Sequence, residues 1–141
     1  MKLPRMKMRS PATTGIGSDR SMSQPGNPRL RVLFVCSLNQ WRSPTAETIY
    51  RNDPRLQVRS AGVRTDAQRH ISAADVSWAQ VIFVMDREQQ LWIRERFRDL
   101  TLPLICVLDI PDSLIYMDPE LQRLLREAIE PELEPLLKLP S

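Results

Sequence analysis

Cys36 and Arg42 are separated by five residues in "VCSLNQWRSP", just where the apolar run "LRVLFVC" stops. A sulfur nucleophile and a planar, permanently charged guanidinium in one short loop suit the chemistry of a tetrahedral oxyanion. The arginine can hold two phosphate oxygens through parallel N–H bonds that a lysine could not reproduce, and the thiolate can attack the phosphorus so held. Ser43 and Pro44 read as an N-cap and first helical residue. Backbone N–H groups of Ser37, Leu38, Asn39, Gln40, Trp41 and Arg42 can therefore converge with a helix N-terminus, a geometry that cradles an anion. The same partial charges favour ionised sulfur, which makes Cys36 the candidate nucleophile. Spacing alone carries little weight: with 17 arginines and two cysteines in 141 residues, chance supplies such a pair about one time in four.

Position in the fold adds the weight that spacing lacks. Leu30 to Cys36 is dense in β-branched and aromatic residues and reads as a buried strand. Similar runs recur at "LQVRSAG" (Leu56 to Gly62), "QVIFVMD" (Gln80 to Asp86) and "PLICVLD" (Pro103 to Asp109), separated by segments of helical or irregular character. After Asp86, "REQQLWIRERF" places Leu91, Trp92 and Phe97 at helical spacing. Asp118 and Pro119 then open a last helix with Leu121, Leu124, Leu125, Ala128 and Ile129 on one face, which Pro131 and Pro135 should end or kink. Strands alternating with helices predict an α/β fold: a single three-layer domain with a four-stranded parallel sheet, expected order 2-1-3-4, and helices on both faces. Ligands of such sheets bind beyond the carboxyl ends of the strands, and Cys36 closes the first one.

Composition narrows the classes further. With 42% hydrophobic and 26% charged residues the chain suits one soluble domain with a modest core. No apolar stretch reaches the roughly 18 residues of a spanning helix, and the expected address is cytoplasmic. Two cysteines and one histidine offer neither a disulfide framework nor a zinc spacing, so no metal or cofactor is expected. The formal charge of +3 comes from the start of the chain. Met1 to Arg31 holds seven basic residues against Asp19, or +6, which leaves −3 for the rest. Residues 1–29 are rich in Ser, Pro, Gly and Thr without helical or strand periodicity and are expected to be a disordered basic extension, followed by the folded domain at 30–137. No nucleic-acid or membrane partner is expected, and the domain is expected to be a monomer or weak dimer.

"VLFVCSLNQWRSPTAE" resembles the signature loop of the low-molecular-weight protein tyrosine phosphatases: cysteine, five residues, arginine and serine, commonly continuing Pro-x-Ala-Glu. "SAG" at Ser60 to Gly62, "VMD" at Val84 to Asp86 and the pair Pro111–Asp112 resemble further family markers in the same order. The similarity runs from about Leu30 to Ile129. It implies a metal-independent phosphomonoester hydrolase, a protein tyrosine phosphatase, in which Cys36 forms a phosphocysteine, Arg42 binds phosphate, Ser43 hydrogen-bonds the thiolate and Asn39 takes a left-handed turn. A phosphotyrosine protein or small aryl phosphate would be the substrate. The general acid would be Asp112, with Asp109 the alternative and Asp118 read as a helix cap.

The chain also departs from the family pattern. Ser113 stands where a proline follows the acid, and the aromatic pair after it is missing, so Tyr116 either replaces that wall or packs. Trp41 occupies the place of a second loop cysteine, which leaves no disulfide partner for Cys36 inside the loop, and instead can line the mouth of the site. Cys106 falls in a predicted buried strand as a small hydrophobe. His70 reads as a structural hydrogen-bonder, and Trp78 and Trp92 as packing residues. The segment from Gly62 to Val81 is short, which suits a minimal branch of the family. Two rival functions share the cradle: a non-catalytic phosphate or phosphotyrosine reader, and an oxidoreductase resembling arsenate reductases, whose thioredoxin-linked form needs two further cysteines where only Cys106 remains.

Overall fold

The structure, a computed structural model, describes residues 29–138. The basic extension expected over residues 1–29 lies outside them except for Arg29. Leu30–Cys36 forms β1, in which Val32, Leu33, Phe34 and Val35 are wholly buried, as a strand covered on both faces must be. β1 lies between Leu56–Gly62 (β2) and Val81–Val84 (β3), and Leu104–Val107 (β4) pairs with the far side of β3, all in parallel. The order β2-β1-β3-β4 is the expected 2-1-3-4. Cys36 sits opposite Gly62 and Val35 opposite Val84, so the carboxyl ends of β2, β1 and β3 form one rim.

Side-chain alternation along β1 divides the core into two layers. Val32, Phe34 and Cys36 pack with α1 (Arg42–Tyr50) and α4 (Pro119–Leu137) through Ala46, Tyr50, Leu121 and Leu125. Leu33 and Val35 pack with α2 (Ala73–Trp78) and α3 (Arg87–Arg96) through Val76 and Ile93. Among the described residues, no helix is long and apolar enough to cross a membrane.

Three helices differ from the sequence reading. α1 begins at Arg42, with Trp41 at its N-cap and no side-chain cap; Ser43 lies inside the first turn because its hydroxyl is turned toward Cys36 instead of the helix amides. On α3 it is Ile93 that is buried, whereas Leu91 is exposed. In α4, Asp118 does cap, accepting the Glu120 N–H at 2.8 Å, but Pro131 and Pro135 do not end the helix. A proline removes one N–H and crowds the preceding turn. Leu121, Leu125, Ile129 and Leu133 nevertheless recur every fourth residue and are all wholly buried, and this packing carries the helix through both prolines.

Candidate active site

The loop after β1 is fixed from outside by its carbonyls. Those of Cys36, Ser37 and Leu38 accept the N–H groups of Val63, Arg64 and Gln68 at 3.1, 3.0 and 2.9 Å. The loop's own N–H groups are thereby left for the inside. That of Asn39 donates to Cys36 Sγ at 3.2 Å, and those of Leu38, Gln40, Trp41 and Arg42 have no protein acceptor among the described residues. Asn39 has φ 55°, the left-handed turn expected of it. A side chain on Gly62 would stand 2.6 Å from the Ser37 carbonyl oxygen and 2.8 Å from the Asn39 nitrogen, so the loop can lie this close to β2 only over a glycine.

Behind the sulfur lies a buried polar chain. Ser43 Oγ is 2.9 Å from Cys36 Sγ and 3.3 Å from the Ala61 carbonyl. Asn39 Nδ2 donates to both Ser43 Oγ and Ser60 Oγ at 3.0 Å, and Ser60 Oγ donates to Glu47 Oε1 at 2.5 Å. The Asn39 amide thus occupies a lone pair of Ser43 and leaves the hydroxyl proton for an acceptor. When the sulfur is ionised it is the stronger of the two acceptors in reach.

Arg42 is buried, and its Nη1 donates to Asp86 Oδ2 at 3.0 Å and to the Ile110 carbonyl at 2.8 Å. Nε and Nη2 have no protein acceptor among the described residues, and together they form the two-donor edge that matches two oxygens of a phosphate. A cavity of about 860 Å³ is lined by Cys36, Ser37, Leu38, Gln40, Trp41 and Arg42 of the loop. Asp112 lines it as well. Asp109 is exposed with φ 57° and is not part of the lining, and Asp118 is taken up as the α4 cap. Asn39 and Ser43 do not line the cavity either; they brace the sulfur from behind.

This strand, loop and helix arrangement recurs in known structures. The arginine phosphatase YwlE from Geobacillus stearothermophilus is 24% identical, with 79% of this chain and 99% of that one covered at a TM-score of 0.58. The low molecular weight protein tyrosine phosphatase SP-PTP from Streptococcus pyogenes is 18% identical over the same shares, at 0.62. The tyrosine phosphatase Wzb from Escherichia coli K30, in complex with phosphate, is 20% identical, with 75% of this chain and 97% of that one covered at 0.59. The chain has the low-molecular-weight phosphatase fold. No protein-family model and no curated protein matches the sequence.

The segment after β4, where the resemblance puts the general acid, is bracketed by left-handed residues at Asp109 and Met117. Tyr116 is exposed, is tied to Thr48 Oγ1 at 2.9 Å and does not line the cavity, so it packs on α1 and does not replace the missing aromatic wall. Aromatic surface comes from Trp41 and from Trp92, which was expected only to pack. Trp78 is half-buried beneath the Arg59 guanidinium, 4.1 Å from its ring centre. His70 Nδ1 meets the Arg64 carbonyl at 3.0 Å and its ring stands edge-on to Trp92, a structural role as expected. Cys106 is only half-buried, with Sγ 3.8 Å from Glu132 Oε1. The sequence reading gave no role to Asp86, beyond its place in "VMD", or to Gln89, Arg64, Asp66 and Glu88, which line or hold the cavity. The capping pattern Asp-x-x-Gln at 86–89 was the available signal for the first two.

Proposed function

We propose that the chain is a metal-independent phosphomonoester hydrolase that forms a phosphocysteine on Cys36, with phosphotyrosine or a similar aryl phosphate as substrate. The observation that carries the reading is the paired geometry of sulfur and guanidinium. Cys36 Sγ receives the Asn39 N–H and lies 2.9 Å from Ser43 Oγ, while Arg42 is anchored by Nη1 so that its two-donor edge stays unpaired with protein. In the first step the thiolate forms an S–P bond as the P–O bond to the leaving group breaks, and Asp112 gives its proton to the departing oxygen. In the second, the Asp112 carboxylate takes a proton from water, the water oxygen bonds to phosphorus, and the S–P bond breaks to return the thiolate. Loop N–H groups and Arg42 hold the equatorial oxygens in both steps, and Ser43 stabilises the sulfur as it leaves. The −3 balance beyond the N-terminal stretch and the lone additional cysteine fit neither a nucleic-acid binder nor a three-thiol oxidoreductase.

The test is hydrolysis of para-nitrophenyl phosphate, phosphotyrosine and phosphoarginine in the presence of a chelator. Turnover of the aryl esters that persists with chelator and disappears in Cys36→Ser is the expected result. Binding of phosphate without release from any substrate would instead make the chain a phosphate reader, and cleavage of phosphoarginine alone would move the leaving group from oxygen to nitrogen.

A further inference from the structure

Gln89 is the third residue of α3, is almost wholly buried, and has its amide fully engaged. Oε1 accepts from the Met85 N–H at 2.9 Å and the Asp86 N–H at 2.8 Å. Nε2 donates to Asp86 Oδ2 and to Ser37 Oγ, each at 3.2 Å. Asp86 Oδ2 is the same atom that receives Arg42 Nη1. One side-chain amide therefore touches both the carboxylate that anchors the arginine and a residue of the anion loop. A capping box needs only an acceptor at this position, to take the N-cap N–H. The two donor contacts exceed that task, and both are directed toward the cradle. They also have something to do: the Asp86 side chain is 44% exposed, so packing alone does not set the direction of its carboxylate.

We propose that Gln89 is a positioning residue for the oxyanion site: through Asp86 and Ser37 it holds the guanidinium of Arg42 and the first residues of the loop in the arrangement that receives a phosphate. The inference rests on reading the cradle as a phosphate site, but not on turnover. A glutamate at this position would keep the size and the capping acceptor while replacing the NH2 by an oxygen facing Asp86 Oδ2, which leaves two acceptors against each other. The new charge also repels an oxyanion directly, because Gln89 lines the cavity, so positioning is read from the part of the loss that disappears once Asp86 is removed.

The experiment compares Gln89→Glu and Gln89→Met in a Cys106→Ser background, so that alkylation reports on Cys36 alone. The readouts are the melting temperature, the affinity for inorganic phosphate and orthovanadate from protection of Cys36 against iodoacetamide well below the melting transition, and kcat and KM for para-nitrophenyl phosphate. Gln89→Glu is expected to melt within about 3 °C of the parent while losing oxyanion affinity and kcat/KM by about tenfold or more. Gln89→Met, which loses cap and donor together, is expected to lose both stability and affinity. Parental oxyanion affinity in Gln89→Glu overturns the proposal and reduces Gln89 to a helix cap. In an Asp86→Ala background the Gln89→Glu loss should shrink to about twofold, because the intermediary is gone; a full, multiplicative loss overturns the route through Asp86. Failure of the hydrolase reading is a separate event: phosphate would still protect Cys36, and still do so less well in Gln89→Glu, with no substrate turned over.

Discussion

Cys36 and Cys106 lie in the same parallel sheet, on β1 and β4, yet their surroundings are electrostatic opposites. Cys36 closes its strand at the carboxyl rim, where the chain turns into a loop whose Asn39 N–H and Ser43 hydroxyl meet the sulfur. Cys106 sits inside its strand, paired with Phe83, and its sulfur meets a carboxylate oxygen of Glu132 on α4 at 3.8 Å. Burial, together with the charge and hydrogen bond of Glu132, pushes the Cys106 thiol up to about 11. On the proposed function, residue type and strand membership do not make a nucleophile; the loop leaving the strand does. Donors gathered at a strand end favour negative sulfur, and an acid from a neighbouring helix opposes it.

The largest effects should separate these two thiols. Cys36→Ser is expected to lower hydrolysis by at least about 10⁴-fold, whereas Cys106→Ser should leave it within about twofold. At neutral pH iodoacetamide should label Cys36 first, with phosphate slowing that reaction and leaving Cys106 untouched, as peptide mapping would show. Equal labelling of the two, or protection of both, breaks the comparison at its root.

Next in size is the contrast between two aspartates of the segment after β4. Asp112 lines the cavity and Asp109 does not. Asp112→Ala should therefore lower kcat for phosphotyrosine by about 10²–10³-fold with little change in KM, as loss of a general acid does. Asp109→Ala should cost only a few-fold. The Asp112 effect should be smaller with para-nitrophenyl phosphate, whose leaving group departs readily without a proton. A larger loss from Asp109→Ala would transfer the acid role.

How far each half of this comparison could be read from sequence depends on the range of its contacts. The strand β1, the loop and the turn at Asn39 are local: an apolar run, a five-residue gap and a residue that tolerates positive φ are all contained in a dozen positions. The place of Asp112 needed the family resemblance, since three aspartates stand within ten residues and only the folded segment shows which one meets the cavity. Ser43 was half legible, because a serine before a proline looks the same whether its hydroxyl caps a helix or faces a sulfur. Asp86 and Gln89 were illegible as site residues: their partners Arg42 and Ser37 lie 44 and 52 positions away, and α3 needs both for its cap whatever else they do. Pro131 and Pro135, read as ending or kinking the last helix, do not end it for the opposite reason, since a strong local rule is outweighed by the long leucine stripe of α4.

The smallest expected effect lies behind the loop, where the segment that fixes its carbonyls is itself held. Arg69 donates to the Ser60 carbonyl and to Asp75 Oδ1, both at 2.5 Å, and Arg59 reaches the same oxygen at 3.2 Å. Burial raises the Asp75 carboxyl, but the Arg69 bond and the Ser72 N–H outweigh it and hold it below the usual carboxylate range. A carboxyl lowered by folding stabilises the fold above its unfolded value, and that contribution is lost as pH falls through the folded one. Both arginines are partly exposed, so solvent screens the pair. Asp75→Asn should consequently cost only about 1–2 kcal/mol in urea unfolding at neutral pH, and the gap to the parent should close in acid. Because Asp75 acts on the outer wall and touches neither sulfur, its loss should change Cys36 labelling a few-fold at most and Cys106 labelling not at all. A gap that widens on acidification would reverse the sign assigned to this carboxylate, and a collapse of Cys36 labelling would mean that the outer wall, and not the donors inside the loop, sets the difference between the two thiols.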